Sequence, residues 1–154
     1  MRRQGFYVET LAAVVKSLKT HKLINSSTGC YTHFASAKDL NYPTFTEIQF
    51  KEFQKAIKVL EKAGFQNLLR HCAATGGTLI NPKYHLDAVR IGIGLYGLWP
   101  SKELEMQLGT KRSLKPTLSW YALVSEVKDA KKGDYIGYDL TERLTKPSKI
   151  AVLP

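Results

Sequence analysis

The chain has 154 residues, room for one domain or for one domain and part of another. Hydrophobic residues make up 44 % and charged residues 23 %, an ordinary globular balance that argues against disorder. No apolar run approaches the roughly 18 residues needed to cross a bilayer, so no spanning segment is expected. Met1-Arg2-Arg3-Gln4-Gly5 leads into Phe6-Tyr7-Val8-Glu9 rather than a long apolar stretch, so a secretory signal is not expected either.

The 23 Lys and Arg residues against 13 Asp and Glu give a formal charge of +10, which makes nucleic acid a first candidate. The distribution argues the other way. Lys16, Lys19, Lys51, Lys55, Lys58 and Lys62 stand singly at helical spacing, with Glu52 and Glu61 among them, as on a solvated helix face. No RNP, helix-turn-helix or zinc-finger pattern accompanies the charge. The two cysteines, Cys30 and Cys72, are too few for a disulfide framework; they fit a reducing compartment and read as small buried hydrophobes.

In chain order, Glu9 to Lys19 puts Leu11, Val14, Val15 and Leu18 on one stripe and predicts an amphipathic helix. Asn25 to Gly29 is a turn. Cys30 to Ala35 is short, β-rich and flanked by turn residues, which predicts a buried strand. Asp39 to Pro43 is a loop. Thr44 to Ala63 is the clearest helix, with Ile48, Phe53, Ile57 and Leu60 as its stripe. Thr44 is expected to cap it with Glu47 as capping-box partner, and Gly64 to stop it. Phe65 to Ala73 holds a second short strand, and Thr75 to Thr78 a turn or helix start. Asn81-Pro82 is a break. Val89 to Tyr96, apolar with Gly92 and Gly94, predicts a third strand. Strand, helix, strand, turn-helix, strand is the grammar of a parallel α/β sheet or barrel.

Composition shifts near Gly109-Thr110-Lys111-Arg112, which divides the chain into 1–111 and 112–154. Beyond it strand follows strand: Thr117 to Lys128, a turn at Lys131 to Asp134, Tyr135 to Tyr138, and Lys149 to Leu153. The chain opens abruptly and stops at Pro154 within an apparent strand. It is therefore expected to be an internal piece of a longer protein.

Several short stretches together resemble the alanine racemase family. They are Met1 to Phe6, Thr32 to Ala37, His71-Cys72-Ala73 with Gly77-Thr78-Leu79, Asp87 to Gly97, Leu114 to Trp120, and Gly137-Tyr138-Asp139. They keep the family's order over almost the whole chain. The resemblance implies an α/β fold: the later part of a (β/α)8 TIM-type barrel, followed by the start of a mostly β C-terminal domain. It implies pyridoxal 5'-phosphate as cofactor, alanine as substrate, and interconversion of L- and D-alanine by two-base proton transfer. D-Alanine then feeds peptidoglycan. The parent would be a cytoplasmic homodimer whose site is shared between subunits, with no nucleic acid or membrane partner.

Residue by residue, Arg90 lies in the apolar run Val89-Arg90-Ile91, where a lone charge is expensive without a partner. The resemblance implies that it donates to the cofactor's pyridine nitrogen. Guanidinium does not give up its proton, so that nitrogen stays unprotonated. This weakens the ring as an electron sink and suits a racemase. The backbone N–H groups of Gly92 and Ile93 are implied to face the phosphate, because glycine admits an anion closely and successive N–H groups cup it. Gly94 reads as packing. Thr75 stands where the family usually has serine and keeps the hydroxyl for the phosphate. Ala74 replaces the usual asparagine and supplies no amide.

His33 ends a predicted strand, where barrel enzymes put their chemistry. By resemblance it links Arg90 to a catalytic tyrosine and orients it. His71 is given a structural role, and His21 and His85 read as surface or turn residues. Arg3 is implied to hold the substrate carboxylate, for which its planar fork is suited. By the same resemblance, neither catalytic base is expected among these residues. The Schiff-base lysine is not Lys16 or Lys19, and the catalytic tyrosine is not Tyr135 or Tyr138. The chain alone is expected to be inactive. A related racemase acting on serine or lysine is the nearest alternative; a small basic binding module is the alternative from another class.

Overall fold

The computed structural model describes residues 3–154. The chain forms two compact units, one reaching to Thr117 and the other running Leu118–Pro154. Among the described residues, no helix is long and apolar enough to cross a membrane.

In the first unit, a 3-10 turn at Val8–Thr10 runs into α1 (Leu11–Thr20), which buries Leu11 and Val15. The strand β1 (Gly29–Tyr31) follows, then α2 (Thr44–Lys62) and β2 (Leu69–His71). The two strands pair in parallel, Gly29 opposite Leu69, Cys30 opposite Arg70 and Tyr31 opposite His71. The βαβ grammar read in the sequence is thus realised, with α2 as the crossover. Both strands are shorter than their apolar runs, since the chain turns after Tyr31 and His71 to send Phe34, Cys72 and Ala73 into the core.

α2 buries Thr46, Phe50, Phe53 and Ile57, spaced by four, three and four residues on one face. Ile48 was expected on that stripe but is 50 % exposed, because Phe50 takes the core position. The expected capping box does not form: Pro43 occupies the N-cap and no side chain caps the helix. Glu47 instead accepts from the Tyr84 hydroxyl and pairs with Lys83. The buried phenol needs an acceptor, and that demand outweighs a local cap. Gly64, at φ +97°, ends the helix as expected.

Against α2, the core gathers Phe34, Cys72, Ala73 and Tyr84. Tyr84 meets Phe34 and Phe50 edge-on, with both centroid distances 5.1 Å. The Cys72 thiol donates to the Tyr84 carbonyl at 3.1 Å, and burial pushes its pKa up to about 11. This buried thiol is the small hydrophobe the sequence suggested.

After β2 comes α3 (Thr75–Ile80) and a 3-10 turn at Pro82–Tyr84. The expected strand over Val89 to Tyr96 shrinks to one parallel bridge, Ala74 with Arg90, backed by Arg90 N–H donating to the Ala73 carbonyl at 2.9 Å. Ile93–Tyr96 coils into a 3-10 turn. The N–H groups of Gly92 and Gly94 go to the Thr75 hydroxyl, so a neighbouring strand has nothing to pair with there. Gly97 closes the turn at φ +75°.

No element was expected where α4 (Lys102–Leu108) forms. Ser101 caps it, accepting from Leu104 N–H at 3.2 Å, and its hydroxyl donates to the Lys38 carbonyl at 2.8 Å. Leu104 is fully buried. The first unit extends past the expected shift at Lys111: Thr117 N–H donates to the Tyr96 carbonyl at 3.2 Å.

The second unit is β-structured apart from a 3-10 turn at Tyr138–Leu140, which cuts short the strand expected over Tyr135 to Tyr138. β3 (Glu126–Ala130) pairs antiparallel with β6 (Ser148–Val152). Between them β4 (Tyr135–Ile136) pairs with β5 (Glu142–Arg143). The expected strand from Thr117 begins only at Glu126, and the expected turn at Lys131 to Asp134 is present, its Lys131 N–H donating to the Asp134 carboxylate at 2.7 Å.

Candidate functional site

The polar end of the parallel strands carries the site. β1 ends at Tyr31 and leads into Thr32-His33; β2 ends at His71; Arg90 is the residue bridged beside Ala74. These three backbone positions aim their side chains at one another.

Arg90 is half-buried. Its Nη2 donates to the Thr32 carbonyl at 2.9 Å and to His33 Nδ1 at 3.2 Å, with the Cys72 carbonyl at 3.5 Å. Its Nη1 donates to His71 Nδ1. The sequence placed this cation in apolar β-structure. The structure instead surrounds it with carbonyls and imidazoles, which is how a half-buried charge is tolerated. A guanidinium has five N–H donors. The Nε–H and one Nη1–H have no partner among the described residues, so two N–H groups are left to donate.

The two imidazoles accept from Arg90 and are therefore neutral at Nδ1. Burial, and then Arg90 and Arg3, pull the His33 pKa below its ordinary value. Burial, and then Arg90, pull His71 down likewise. Both effects disfavour a second positive charge beside the guanidinium. The Tyr31 ring lies parallel to the His71 ring, interplanar angle 1° and centroids 5.2 Å apart. The Arg90 guanidinium stands 5.4 Å from the Tyr31 centroid.

Thr75, buried, makes the second half of the site. Its Oγ1 accepts the N–H groups of Gly92 at 3.1 Å and Gly94 at 3.2 Å. Two incoming donors fill the oxygen's lone pairs and leave the hydroxyl proton to donate outward, and no acceptor for it occurs among the described residues. A Cβ at Gly94 would lie 2.6 Å from Thr75 Cγ2, so the loop can reach the hydroxyl only with glycine there. Gly92 is exposed and a Cβ on it would touch nothing within 4 Å, so that side of the loop is open. The Gly92 N–H is thus used within the protein, while Ile93 N–H, at the start of its 3-10 turn, has no acceptor among the described residues.

Arg90 thus meets His33, and Thr75 meets the Gly92-Ile93-Gly94 loop that follows Arg90 in the chain. Arg3 is exposed and joins them only through its charge on His33. Ala74 offers its backbone alone, its carbonyl accepting from Thr78. Lys16 and Lys19 lie exposed on α1, and Tyr135 and Tyr138 lie in the second unit. Tyr31 and His71 were missed as site residues. The usable signal was strand alternation: Cys72 faces the helix-side core, so His71 must face the other way.

The geometry suits a flat heteroaromatic ring bearing an anion. A permanently charged N–H donor would meet a ring nitrogen, while a free hydroxyl and a free amide on an open loop would meet the anion. The residues present fit pyridoxal 5'-phosphate on this count.

Known proteins show the same relationship. The family model "Alanine racemase, N-terminal domain" matches residues 1–100. The alanine racemase of Leptospira interrogans is 36 % identical over 100 % of this chain, which covers 40 % of that protein. The crystal structure of alanine racemase from D-cycloserine-producing Streptomyces lavendulae superposes with a TM-score of 0.77 at 28 % identity, over 97 % of this chain and 39 % of that one. Alanine racemase from Bacillus anthracis, solved with bound L-Ala-P, gives 0.72 at 32 % identity over 99 % of this chain and 39 % of that one. The chain spans about two-fifths of the length of these relatives.

Proposed function

The chain belongs to the alanine racemase family, and from that premise we propose that it is the later part of the cofactor-binding (β/α)8 barrel, residues 1–111, with the start of the β-rich C-terminal domain, residues 112–154. The parent enzyme interconverts L- and D-alanine, supplies D-alanine for peptidoglycan, and works as a cytoplasmic homodimer with pyridoxal 5'-phosphate. The observation that carries this reading is the pairing of a guanidinium with unpartnered N–H groups at Arg90 and a hydroxyl with a free proton at Thr75.

When bound, the cofactor supplies the electron sink that renders the substrate's α-proton acidic. The chain's own residues do the holding. Arg90 donates to the ring nitrogen and keeps it unprotonated. Thr75 donates its proton to the phosphate beside the Ile93 N–H, and the Gly92 N–H orients Thr75 for that task. His33, neutral, anchors Arg90 on one side and orients the tyrosine base of the full enzyme. Arg3 holds the substrate carboxylate. Proton removal and return need two bases on opposite faces, and those belong to the parent enzyme beyond these residues.

Equilibrium dialysis with pyridoxine 5'-phosphate tests this, since that analogue cannot condense with surface lysines. The chain should retain it in preference to unphosphorylated pyridoxine. Thr75→Val should weaken retention roughly tenfold, the worth of one charge-assisted hydrogen bond. The chain alone should form no D-alanine from L-alanine. Equal retention of the two compounds, or no effect of Thr75→Val, would contradict the reading.

A further inference from the structure

Tyr31 closes β1 directly opposite His71 in parallel register, which puts both side chains on the same face of the sheet. Their rings are parallel and 5.2 Å apart. The Arg90 guanidinium sits 5.4 Å from the Tyr31 centroid, within reach of the ring's negative face. The Tyr31 hydroxyl makes no hydrogen bond among the described residues, and the side chain is 62 % exposed, so neither a polar bond nor burial in a core accounts for it.

An imidazole needs such a neighbour. Its terminal torsion is broad and two-fold, so a half-turn exchanges its edges and takes Nδ1 away from the guanidinium. An arginine has several torsions to fix as well, at a cost of about 1.5–2 kcal/mol in side-chain freedom. Among the described residues, Tyr31 is the one phenyl or phenol ring stacked on either group.

We propose that Tyr31 is a positioning residue: its ring face holds His71 flat and Arg90 above it, so that the guanidinium keeps an unpartnered N–H available to the ligand's ring nitrogen. The last clause rests on the function proposed above. The clamp itself is independent of any ligand.

The test is nitrogen-15 NMR of the histidine rings in the unliganded chain at pH 7.5. A His71 ring fixed with Nδ1 as acceptor and Nε2 protonated shows two widely separated nitrogen resonances. Tyr31→Phe should leave the separation unchanged, since it keeps the ring face. Tyr31→Leu should reduce it by at least half, as the ring samples both edges. Full separation in Tyr31→Leu would overturn the proposal, and so would equal loss in Tyr31→Phe. Should Tyr31→Leu fail to fold, the unmodified chain decides: a nuclear Overhauser contact between Tyr31 and His71 ring protons supports the clamp, and its absence overturns it. No ligand enters any arm, so failure here is distinct from failure to retain pyridoxine 5'-phosphate.

Discussion

Arg90→Met keeps the length of the side chain and removes its charge and donors, which makes it a sharp probe of the site's architecture. The Thr32 carbonyl would lose its 2.9 Å donor and the Nδ1 atoms of His33 and His71 would lose theirs. A hydrogen bond from a charged donor contributes about 1.5–3 kcal/mol, and water can replace part of that at a half-buried position. The net cost should be about 2–3 kcal/mol, read by urea denaturation near pH 7.5. The pH dependence is more discriminating. His33 and His71 titrate below the ordinary histidine value of about 6.5 with Arg90 as one cause. As pH falls below that value the unfolded chain takes up protons first, so the native state loses stability toward acid. Arg90→Met removes the Coulombic part of that effect, so the variant should lose less. The gap between the two proteins should be widest above about pH 6.5 and shrink toward pH 5. A cost under about 0.5 kcal/mol, or a gap that grows toward acid, would refute the reasoning.

Three other outcomes follow from the geometry. Gly97→Ala should destabilise by roughly 2–4 kcal/mol in thermal or urea melts, because φ is +75° and the new Cβ would lie 1.8 Å from the Lys115 carbonyl oxygen. Tyr84→Phe should cost about 1.5–3 kcal/mol, the worth of a hydrogen bond to the Glu47 carboxylate, with the edge-on aromatic packing intact. The Asp87 carboxyl, bonded by the Arg70 side chain and by the Arg70 N–H, is held down to about 2. Its contribution to stability should be complete above the ordinary aspartate value of about 3.9 and disappear as pH falls toward the folded value. A carbon-13 titration of Asp87 with an inflection near 3.9 would contradict the pairing.

Much of the fold was legible because two signals were strong. The stripes of α1 and α2 have helical period, and Gly64 stops α2 with a backbone conformation that other residues resist. What misled was tertiary demand. Glu47 had the spacing of a capping-box residue but answers the buried Tyr84 phenol instead. Val89 to Tyr96 had strand composition, yet Thr75 captures two of its N–H groups and the segment coils after Arg90. Ser101 caps α4 through a contact with Lys38, 63 residues earlier, which no local pattern announces.

In the site, Arg90 stood out as a charge in an apolar run, and Thr75 and Gly92 through the motif around them. His71 was legible in principle from its alternation with Cys72. Tyr31 was not, because its role arises from the parallel register of two strands whose paired residues stand 40 apart in sequence.

The central claim is that Arg90 donates to the nitrogen of a bound pyridine ring and keeps it unprotonated. Pyridoxine 5'-phosphate labelled with nitrogen-15 in the ring tests it directly, by its chemical shift when bound to the chain. The shift should be that of an unprotonated, hydrogen-bonded nitrogen at pH 7, and should change on Arg90→Met. A protonated ring nitrogen in the complex, or a shift indifferent to Arg90→Met, would contradict the claim.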